Sequence, residues 1–344
     1  MATVSIAAVT LIAVVGAIVG GSPPSLAPQQ TGDAMLAADA APHLGGTRHR
    51  VSLCVLQDGD FTTAGFGADE NTRYEVGSIT KTFTGALLAD AVSRGEVGLE
   101  DPVGAYLDLD GTPAADVTLR ELAGHTGGLG EWGDDARDDT VTRWWVEDVL
   151  GATMHDLDLD DLLDRAREDV LATRGEHRYS NIGYALLGHA LAAAGGRPYP
   201  ELLQRRVFDA VGMSDSGLTA HDDVNTRHGF QASGRAAPRW RLGAYAPAGG
   251  GYSTAADLCR YAERMLEVQG AAPGRPNVFE PIDVGMGLGW NLSVSGDRAW
   301  KTGQVGGFTA LIGMDLTDGR AVVALSDTAN ELDDVVWALL ETGR

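Results

Sequence analysis

Ser78 and Lys81 are the two residues of this chain whose types and spacing most directly predict chemistry. They lie three positions apart at the start of a stretch with apolar residues at helical spacing, so their side chains would share one helix face. A serine hydroxyl is a poor nucleophile until a neighbouring base takes its proton, and a neutral lysine amine one turn away can be that base. Backbone N–H groups at the helix N-terminus can hold a developing oxyanion. The pair therefore predicts nucleophilic catalysis by a serine.

The scarcity of lysine strengthens this prediction. The chain has 24 arginines but two lysines, Lys81 and Lys301. Because arginine does not lose its proton in proteins, it cannot replace lysine as a base. A chain that uses arginine almost everywhere else indicates a need for a titratable amine at these two positions. The alternative is that Ser78 caps the helix and Lys81 is a solvated helix residue.

Two further clusters accompany this pair. Tyr179-Ser180-Asn181 opens an apolar segment rich in alanine and leucine, and Lys301-Thr302-Gly303 ends a strand-like segment that continues into Gln304. Each cluster also has a plainer interpretation, because tyrosine is common in hydrophobic cores and a lysine in a strand usually marks a sheet edge. That interpretation is weaker for Lys301, since it is one of only two lysines.

Strand-like segments lie at both ends of the chain, and helical patterns fill its middle. The simplest assembly is an α+β fold within the broad α/β class: one antiparallel sheet built from both chain ends, flanked by the first and last helices, with an all-helical region inserted. A cleft between the two parts is the expected ligand site. The predicted strands are 50–56, 61–66, 288–294, 298–303, 308–316 and 321–326, and the predicted helices are 78–92, 118–124, 139–150, 159–172, 181–194, 199–211, 253–267 and 331–341.

The first residues of the chain predict export. Residues 4–21 are almost continuously apolar and carry no charge, which is close to the length that spans a bilayer. Ser25-Leu26-Ala27 then resembles a small-x-small cleavage site. We therefore expect residues 1–27 to be a signal peptide or an uncleaved membrane anchor, and the protein to be extracellular or at the cell surface. A buried core helix is the alternative for the apolar run.

The remaining chain is expected to hold a linker and one folded domain. Residues 28–46 are rich in Pro, Ala and Gln with little apolar bulk, which is typical of a linker. Residues 47–344 are expected to form the catalytic domain. Its sheet part is predicted at about 47–105 and 245–344, and its helical part at about 106–244.

Charge and cysteine content limit the classes of partner. The net charge of −22 and the pI of about 4.6 argue against a nucleic-acid partner, because phosphates would be repelled. The acidity is compatible with a high-salt habitat or with a GC-rich genome. Cys54 and Cys259 are the only cysteines; they could pair, but two separate buried thiols are at least as compatible with the sequence. The eight histidines have no zinc-site spacing, so no metal is expected.

Three motifs in order carry a resemblance to a known family. Ser78-Ile79-Thr80-Lys81, Tyr179-Ser180-Asn181 and Lys301-Thr302-Gly303 resemble the motifs of the penicillin-recognising serine hydrolases. Tyrosine at the head of the second motif resembles the branch of class C β-lactamases, D-alanyl-D-alanine carboxypeptidases, D-amino-acid peptidases and related esterases. The resemblance runs from about Arg50 to the C-terminus and includes a histidine-containing turn from Leu122 to Leu129.

The resemblance implies a role for each motif residue. Ser78 would be the acylated nucleophile, and Lys81 would accept its proton together with Tyr179. Lys301 would lower the pKa of Lys81 and also that of Tyr179. The oxyanion hole would be the backbone N–H of Ser78 and of Gln304, which stands where the family usually has a small residue. The residues implied on the substrate side are Asn181, Lys301, Thr302, Gly303 and Gln304. Of these, Asn181 would hydrogen-bond either Lys81 or the substrate amide.

We therefore expect a serine hydrolase that acts through an acyl-enzyme on an amide or ester, such as a D-alanyl peptide, a D-amino-acid peptide or a small ester. A class C-like β-lactamase is one alternative, and a non-catalytic penicillin-binding or sensor module is another. A membrane-anchored structural protein is a third. The expected partner is a small-molecule or peptide substrate, no cofactor is implied, and the oligomeric state is left open.

Overall fold

The computed structural model of the protein describes residues 24–133, 156–218, 228–237, 240–268 and 276–342. A large antiparallel sheet forms one layer, helices cover both of its faces, and helices from the middle of the chain continue the same hydrophobic core. The predicted α+β fold, with one sheet built from both chain ends and a helical region between them, is thus confirmed.

Ten strands lie in the described part of the chain. They are β1 (Gln30–Gly32), β2 (Val51–Gln57), β3 (Asp60–Phe66), β4 (Tyr74–Glu75), β5 (Gly217–Leu218), β6 (Gly251–Ser253), β7 (Asn291–Leu292), β8 (Arg298–Val305), β9 (Phe308–Asp315) and β10 (Arg320–Ser326). The large sheet has the order β1-β3-β2-β10-β9-β8-β7, and a small sheet has the order β4-β6-β5. The pairing of β2 with β10 joins the N-terminal hairpin to the C-terminal strands.

Most of the helices lie in the middle of the chain, between β4 and β7. Those described are α1 (Ala34–Ala40), α2 (Thr80–Ser93), α3 (Leu119–Ala123), α4 (Leu159–Glu168), α5 (Asn181–Gly195), α6 (Tyr199–Leu203), α7 (Asp209–Val211), α8 (Ala246–Gly249), α9 (Ala255–Val268) and α10 (Asp333–Glu341). A π-helical turn, Gln204–Phe208, joins α6 to α7.

The central strands are apolar on both faces because helices cover both. In β2, Leu53 and Val55 belong to the core that includes α1 and α10, whereas Cys54 and Leu56 belong to the core that includes α2 and α9. Since successive strand residues point to opposite faces, an uninterrupted apolar run is what a strand between two helical layers requires. Each fully buried aliphatic side chain of this kind stabilises the fold by roughly 1.5–3 kcal/mol.

The predicted linker over residues 28–46 is wrong. This stretch holds β1, which extends the edge of the large sheet beside β3, and α1, which packs on the sheet. Asp33 caps α1 by accepting two backbone N–H groups, and Leu36, Ala37 and Ala40 are buried against the sheet. The helical spacing of these few small apolar residues was hidden within a composition that otherwise resembles a linker.

The predicted elements differ from the structure mainly where strands are short. The turn at Asp58-Gly59 is confirmed, with positive φ at both residues as a tight hairpin between right-twisted strands requires. The predicted strand 288–294 shrinks to Asn291–Leu292, and the small sheet was not predicted. Strands of two or three residues are too short to show an alternating pattern. The predicted helix 139–150 lies outside the described residues.

Cys54 on β2 and Cys259 on α9 form a disulfide. Their Cα atoms are 6.3 Å apart, and both side chains are fully buried. The bond ties the N-terminal hairpin to a helix more than 200 positions away in the chain. The sequence left this pairing open beside two separate thiols, because a contact over such a separation is set by the tertiary fold.

Most of the predicted signal peptide or anchor, residues 1–27, precedes the first described residue, Pro24. The apolar run at residues 4–21 lies outside the described residues. Across residues 24–342, apart from the gaps named above, no helix combines the length and apolarity that a membrane crossing needs.

Candidate active site

Ser78 lies in a tight 3-10 turn, Gly77–Ile79, that runs directly into α2. Thr80 locks this turn, because its hydroxyl donates to the Gly77 carbonyl at 2.6 Å and accepts the Gly251 N–H at 2.9 Å. The second of these bonds holds α2 against β6. The first ten residues of α2 are buried on every side, so Lys81, one turn after Ser78, points into the protein interior.

The amine of Lys81 is enclosed by three oxygen atoms. Its Nζ lies 2.7 Å from Oδ1 of Asn181, 2.7 Å from the carbonyl oxygen of Ala248 and 3.1 Å from Oγ of Ser78. A neutral amine has two N–H donors and one lone pair. The amide and carbonyl oxygens accept the two N–H groups, which leaves the lone pair for the hydroxyl proton of Ser78.

The surroundings of Lys81 favour this neutral form. Burial holds its pKa well below the ordinary lysine value, and the nearby Lys301 lowers the pKa further, whereas Glu131 acts in the opposite direction. Lys301 is buried as well, and burial lowers its pKa to about 8. The predicted effect of Lys301 on Lys81 is therefore confirmed, although burial is the larger cause.

Tyr179 approaches Ser78 from the other side. Its hydroxyl oxygen lies 2.6 Å from Oγ of Ser78, and its ring centroid lies 4.8 Å from Nζ of Lys81 and 5.6 Å from Nζ of Lys301. Although 36% of the residue is exposed, its hydroxyl is enclosed, and desolvation raises the pKa of Tyr179 to about 12 against the lowering effect of the Ser78 hydrogen bond. The pKa is thus raised overall, Lys301 is not among the causes of the shift, and Tyr179 keeps its proton at neutral pH.

The second motif is positioned by the N-terminus of α5. Ser180 caps this helix by accepting the Gly183 N–H at 3.0 Å. The backbone N–H groups of Asn181 and Ile182 donate to the carbonyl oxygen of Glu131 at 2.8 and 3.2 Å. Asn181 is thereby fixed with its amide oxygen on Lys81, as the resemblance implied.

His125 also holds the N-terminus of α5, and the sequence predicted it only as part of a turn. It has a positive φ of 61°, and its Nδ1 accepts the backbone N–H of Ser180 at 3.1 Å. Its ring lies 4.7 Å from the ring of Tyr179. Burial, followed by Lys301 and Lys81, holds the pKa of His125 well below its ordinary value. The imidazole is therefore neutral with its proton on Nε2, which has no hydrogen-bond partner among the described residues.

The third motif lies on β8, where side chains alternate between interior and cleft. Lys301 and Gly303 are buried, whereas Thr302 and Gln304 are exposed. The sequence prediction placed all four at the substrate, but the structure puts only Thr302 and Gln304 on the cleft wall. Lys301 lies behind this wall, where its amine faces the ring of Tyr179.

Two glycines allow β8 to touch the turn that holds Ser78. A Cβ atom on Gly303 would lie 1.9 Å from the carbonyl oxygen of Val76 and 3.0 Å from the backbone nitrogen of Ser78. A Cβ atom on Gly77, which has φ +50°, would lie 2.7 Å from the backbone nitrogen of Gln304. The backbone nitrogens of Ser78 and Gln304 therefore both lie at this backbone contact, and an oxyanion hole needs two such donors close together.

A cleft of about 330 Å³ opens in front of these groups. Ser78, Tyr179 and Asn181 line its reactive end. Its other walls are made by residues that the sequence did not identify, namely Glu131, Trp132, Trp240, Leu242, Tyr245 and Val305. In the part of the chain that the structure describes, no three His, Cys, Asp or Glu side chains are grouped to hold a metal ion.

Comparison with known proteins places this geometry in a family. The family model described as beta-lactamase matches residues 36–341. A human protein described as beta-lactamase-like is 32% identical over 222 residues, covering 60% of this chain and 41% of that protein. The D-alanyl-D-alanine-carboxypeptidase/endopeptidase AmpH of Escherichia coli K12 is 29% identical over 199 residues, covering 56% of this chain and 48% of that protein. The chain thus spans about half the length of these two curated relatives, or less.

The fold is also that of a solved structure. The class C beta lactamase from Rhodobacter sphaeroides has a TM-score of 0.70 and 22% identity, and the match covers 89% of this chain and 97% of that one.

The contact at Gly303 predicts that Gly303→Ala will inactivate Ser78. The new methyl group must push β8 away from the turn, which separates the two backbone donors. We expect the rate at which a fluorophosphonate labels Ser78, followed by intact mass, to fall about 100-fold or more, the usual effect of losing one oxyanion donor. Gly45→Ala is the control, because no atom lies within 4 Å of the added Cβ. Labelling of a folded Gly303→Ala variant at the normal rate would contradict this geometry.

Proposed function

The chain belongs to the β-lactamase family, and from this premise we propose that it is a serine hydrolase that cleaves an amide or ester through an acyl-enzyme on Ser78. The observation that carries the proposal is that Ser78 Oγ contacts two groups in opposite protonation states. Nζ of the neutral Lys81 lies 3.1 Å away, and the protonated hydroxyl of Tyr179 lies 2.6 Å away. One can take a proton from Ser78 and the other can donate one.

Acylation begins with proton transfer from Ser78 to Lys81. The lone pair of Nζ accepts the hydroxyl proton while Oγ attacks the substrate carbonyl carbon, and the carbonyl oxygen becomes an oxyanion. The backbone N–H groups of Ser78 and Gln304 stabilise this charge. Oγ gains the new bond to carbon, and Lys81 becomes an ammonium whose hydrogen bonds to Asn181 and Ala248 are already in place.

Collapse of the intermediate needs a proton on the leaving group. Tyr179 is the donor, because its pKa of about 12 keeps it protonated and its hydroxyl lies beside Oγ. The ammonium of Lys81 restores that proton, which returns the amine to its neutral form. Water then attacks the ester of Ser78, loses its proton to the same pair of groups, and Oγ leaves with a proton to regenerate the hydroxyl.

The substrate class is the finer part of the proposal. We favour a D-alanyl peptide, a D-amino-acid peptide or a small ester, supported by the carboxypeptidase/endopeptidase name of one relative. A class C-like β-lactamase is the alternative that the fold of the solved neighbour favours. A non-catalytic penicillin-binding or sensor module is less favoured, because it would not require Lys81 to be held neutral beside Ser78.

We also propose that the protein is exported. Two observations support this: the uncharged apolar run at residues 4–21, and the buried disulfide between Cys54 and Cys259, a bond that persists in oxidising compartments and is rare in the cytosol.

The first prediction of the proposed function concerns the nucleophile and its base. Incubation with benzylpenicillin or with p-nitrophenyl acetate should give an adduct on Ser78, detected by intact mass and peptide mapping, and Ser78→Ala should abolish it. Lys81→Arg should be as inactive as Lys81→Ala, with hydrolysis reduced at least 1,000-fold, because a guanidinium cannot accept the proton. Release of p-nitrophenol gives the rate.

The matched control is Arg94→Lys, which makes an equally conservative exchange at the far end of the same helix. Adduct formation with slow loss of the penicillin would favour a penicillin-sensitive peptidase, and fast turnover would favour the β-lactamase alternative. An active Lys81→Arg enzyme would remove Lys81 from the role of base.

A second prediction concerns pH. Activity requires neutral Lys81, so kcat/KM rises as the pH increases through the pKa of Lys81. Below about pH 8 Lys301 is charged and lowers the pKa of Lys81, so Lys301→Gln should raise that pKa and move the acid limb to higher pH, by about one pH unit.

Above about pH 8 the wild type loses this charge as well, and the two pH profiles should converge. Arg298→Gln is the control, because it removes one positive charge from the same strand near the surface. A shift of the acid limb to lower pH in Lys301→Gln would contradict the assignment.

A third prediction concerns export and the disulfide. In a bacterial host the full chain should appear outside the cytoplasm with Cys54 and Cys259 oxidised, whereas a chain lacking residues 1–23 should stay inside with both thiols reduced. Reduction should lower the free energy of unfolding, measured in urea, by about 2–5 kcal/mol. The double variant Cys54→Ala, Cys259→Ala should lose all sensitivity to reductant. Retention of the full chain in the cytoplasm would exclude export.

A further inference from the structure

The wall of the cleft beyond the reactive groups is aromatic. The ring of Trp132 lies between two others, 5.2 Å from the ring of Tyr245 and 6.4 Å from that of Trp240, at interplanar angles of 69° and 67°. The Tyr245 hydroxyl donates to the carbonyl oxygen of Trp132 at 2.5 Å. This bond fixes the Tyr245 side chain against the backbone of Trp132, so part of the wall is preformed.

Glu131 stands between this wall and the reactive end. Its carbonyl oxygen is held by the N-terminus of α5, and the neighbouring Gly130 is held on both sides, by Asp169 and by Ser180. The backbone is therefore fixed next to Asn181. The carboxylate is exposed, and it makes no hydrogen bond or ion pair within the described residues. Of the described residues that line the cleft, Glu131 alone carries a formal charge.

The amines of the site do not neutralise this carboxylate. Lys81 and Lys301 are both buried, and their Nζ atoms lie 4.8 and 5.6 Å from the ring centroid of Tyr179 with no ion pair to Glu131 in the described structure. Among the described residues, the cleft lining therefore presents one negative charge next to aromatic side chains. An ammonium group gains from both, by charge pairing with a carboxylate and by attraction to the ring quadrupoles.

We propose that the cleft selects substrates that carry an ammonium group near the scissile ester or amide, with Glu131 pairing the charge and the rings of Trp132 and Trp240 covering it. This inference rests on the proposed hydrolase function. The substrate class is a cationic acyl compound, such as an ester or amide of an amino acid with a free or alkylated amine.

The test compares two p-nitrophenyl esters of equal shape. One is the 4-(trimethylammonio)butyrate, which is positively charged at every pH, and the other is its neutral isostere, the 5,5-dimethylhexanoate. We expect the wild type to have a kcat/KM about tenfold higher for the cationic ester at low ionic strength. Glu131→Gln should abolish most of this preference, a change equivalent to about 1.4 kcal/mol, and Glu131→Lys should reverse it.

The ratio of the two rates isolates recognition from catalysis. Glu131 also affects the pKa of Lys81 and of Tyr179, and that effect acts on both esters alike, so it cancels in the ratio. Glu280→Gln is the matched control, because it removes the same charge from an exposed residue outside the cleft, and it should leave the preference unchanged.

A second measurement separates this inference from the hydrolase function. Binding of both esters to Ser78→Ala, and to the double variant Ser78→Ala, Glu131→Gln, is followed by tryptophan fluorescence. Cleavage of both esters without preference overturns the inference and leaves the hydrolase intact. If the wild type cleaves neither ester, the hydrolase function is overturned. The inference is still supported in that case if the cationic ester binds about tenfold more tightly and this preference depends on Glu131. Equal binding of the two esters overturns the inference.

Discussion

The burial of the Lys81 amine is the constraint on which the site depends. An ammonium ion in a dry interior is disfavoured by several kcal/mol, whereas each neutral hydrogen bond returns only about 0.5–1.5 kcal/mol. The two hydrogen bonds to Asn181 and Ala248 therefore cannot hold the proton, and the amine becomes neutral. Without burial, Lys81 could not act as a base at moderate pH, because a lysine with the ordinary pKa of about 10.4 stays charged.

This constraint accounts for the arrangement of the surrounding helices. The first ten residues of α2 are buried on every side, which encloses Lys81, and the hydroxyls that its threonines bring into the core are all hydrogen-bonded. Thr82 bonds back to the carbonyl of Ile79, and Thr84 bonds to Tyr199 and to the carbonyl of Pro247. The segment around α8 supplies the Ala248 carbonyl, and α5 supplies the Asn181 amide. The sheet contributes Lys301 on β8, whose positive charge lowers the pKa of Lys81 further.

The sequence predicted the reacting groups because the chemistry requires particular residue types. A base beside Ser78 must be a titratable amine, and two lysines among 26 basic residues identified Lys81 and Lys301. The second motif needed the resemblance, because Tyr179 alone suited a core position. What could not be predicted depends on the tertiary fold. His125, Glu131 and Trp132 reach the site only because the loop that carries them bonds to the N-terminus of α5, and no spacing in the chain encodes that contact. The disulfide was hidden for the same reason, whereas α1 was hidden by a composition that resembles a linker.

Glu131 acts against the function of Lys81 as a base. A carboxylate stabilises a nearby ammonium, so it raises the pKa of Lys81, against the burial and the Lys301 charge that lower it. It also raises the pKa of Tyr179. A site organised only to deprotonate Ser78 gains nothing from a negative charge at this position, and a neutral side chain with the same backbone contacts would serve α5 equally well, since only the Glu131 carbonyl bonds to it. The carboxylate opposes the base but faces the cleft, so its function is best sought in what the cleft binds.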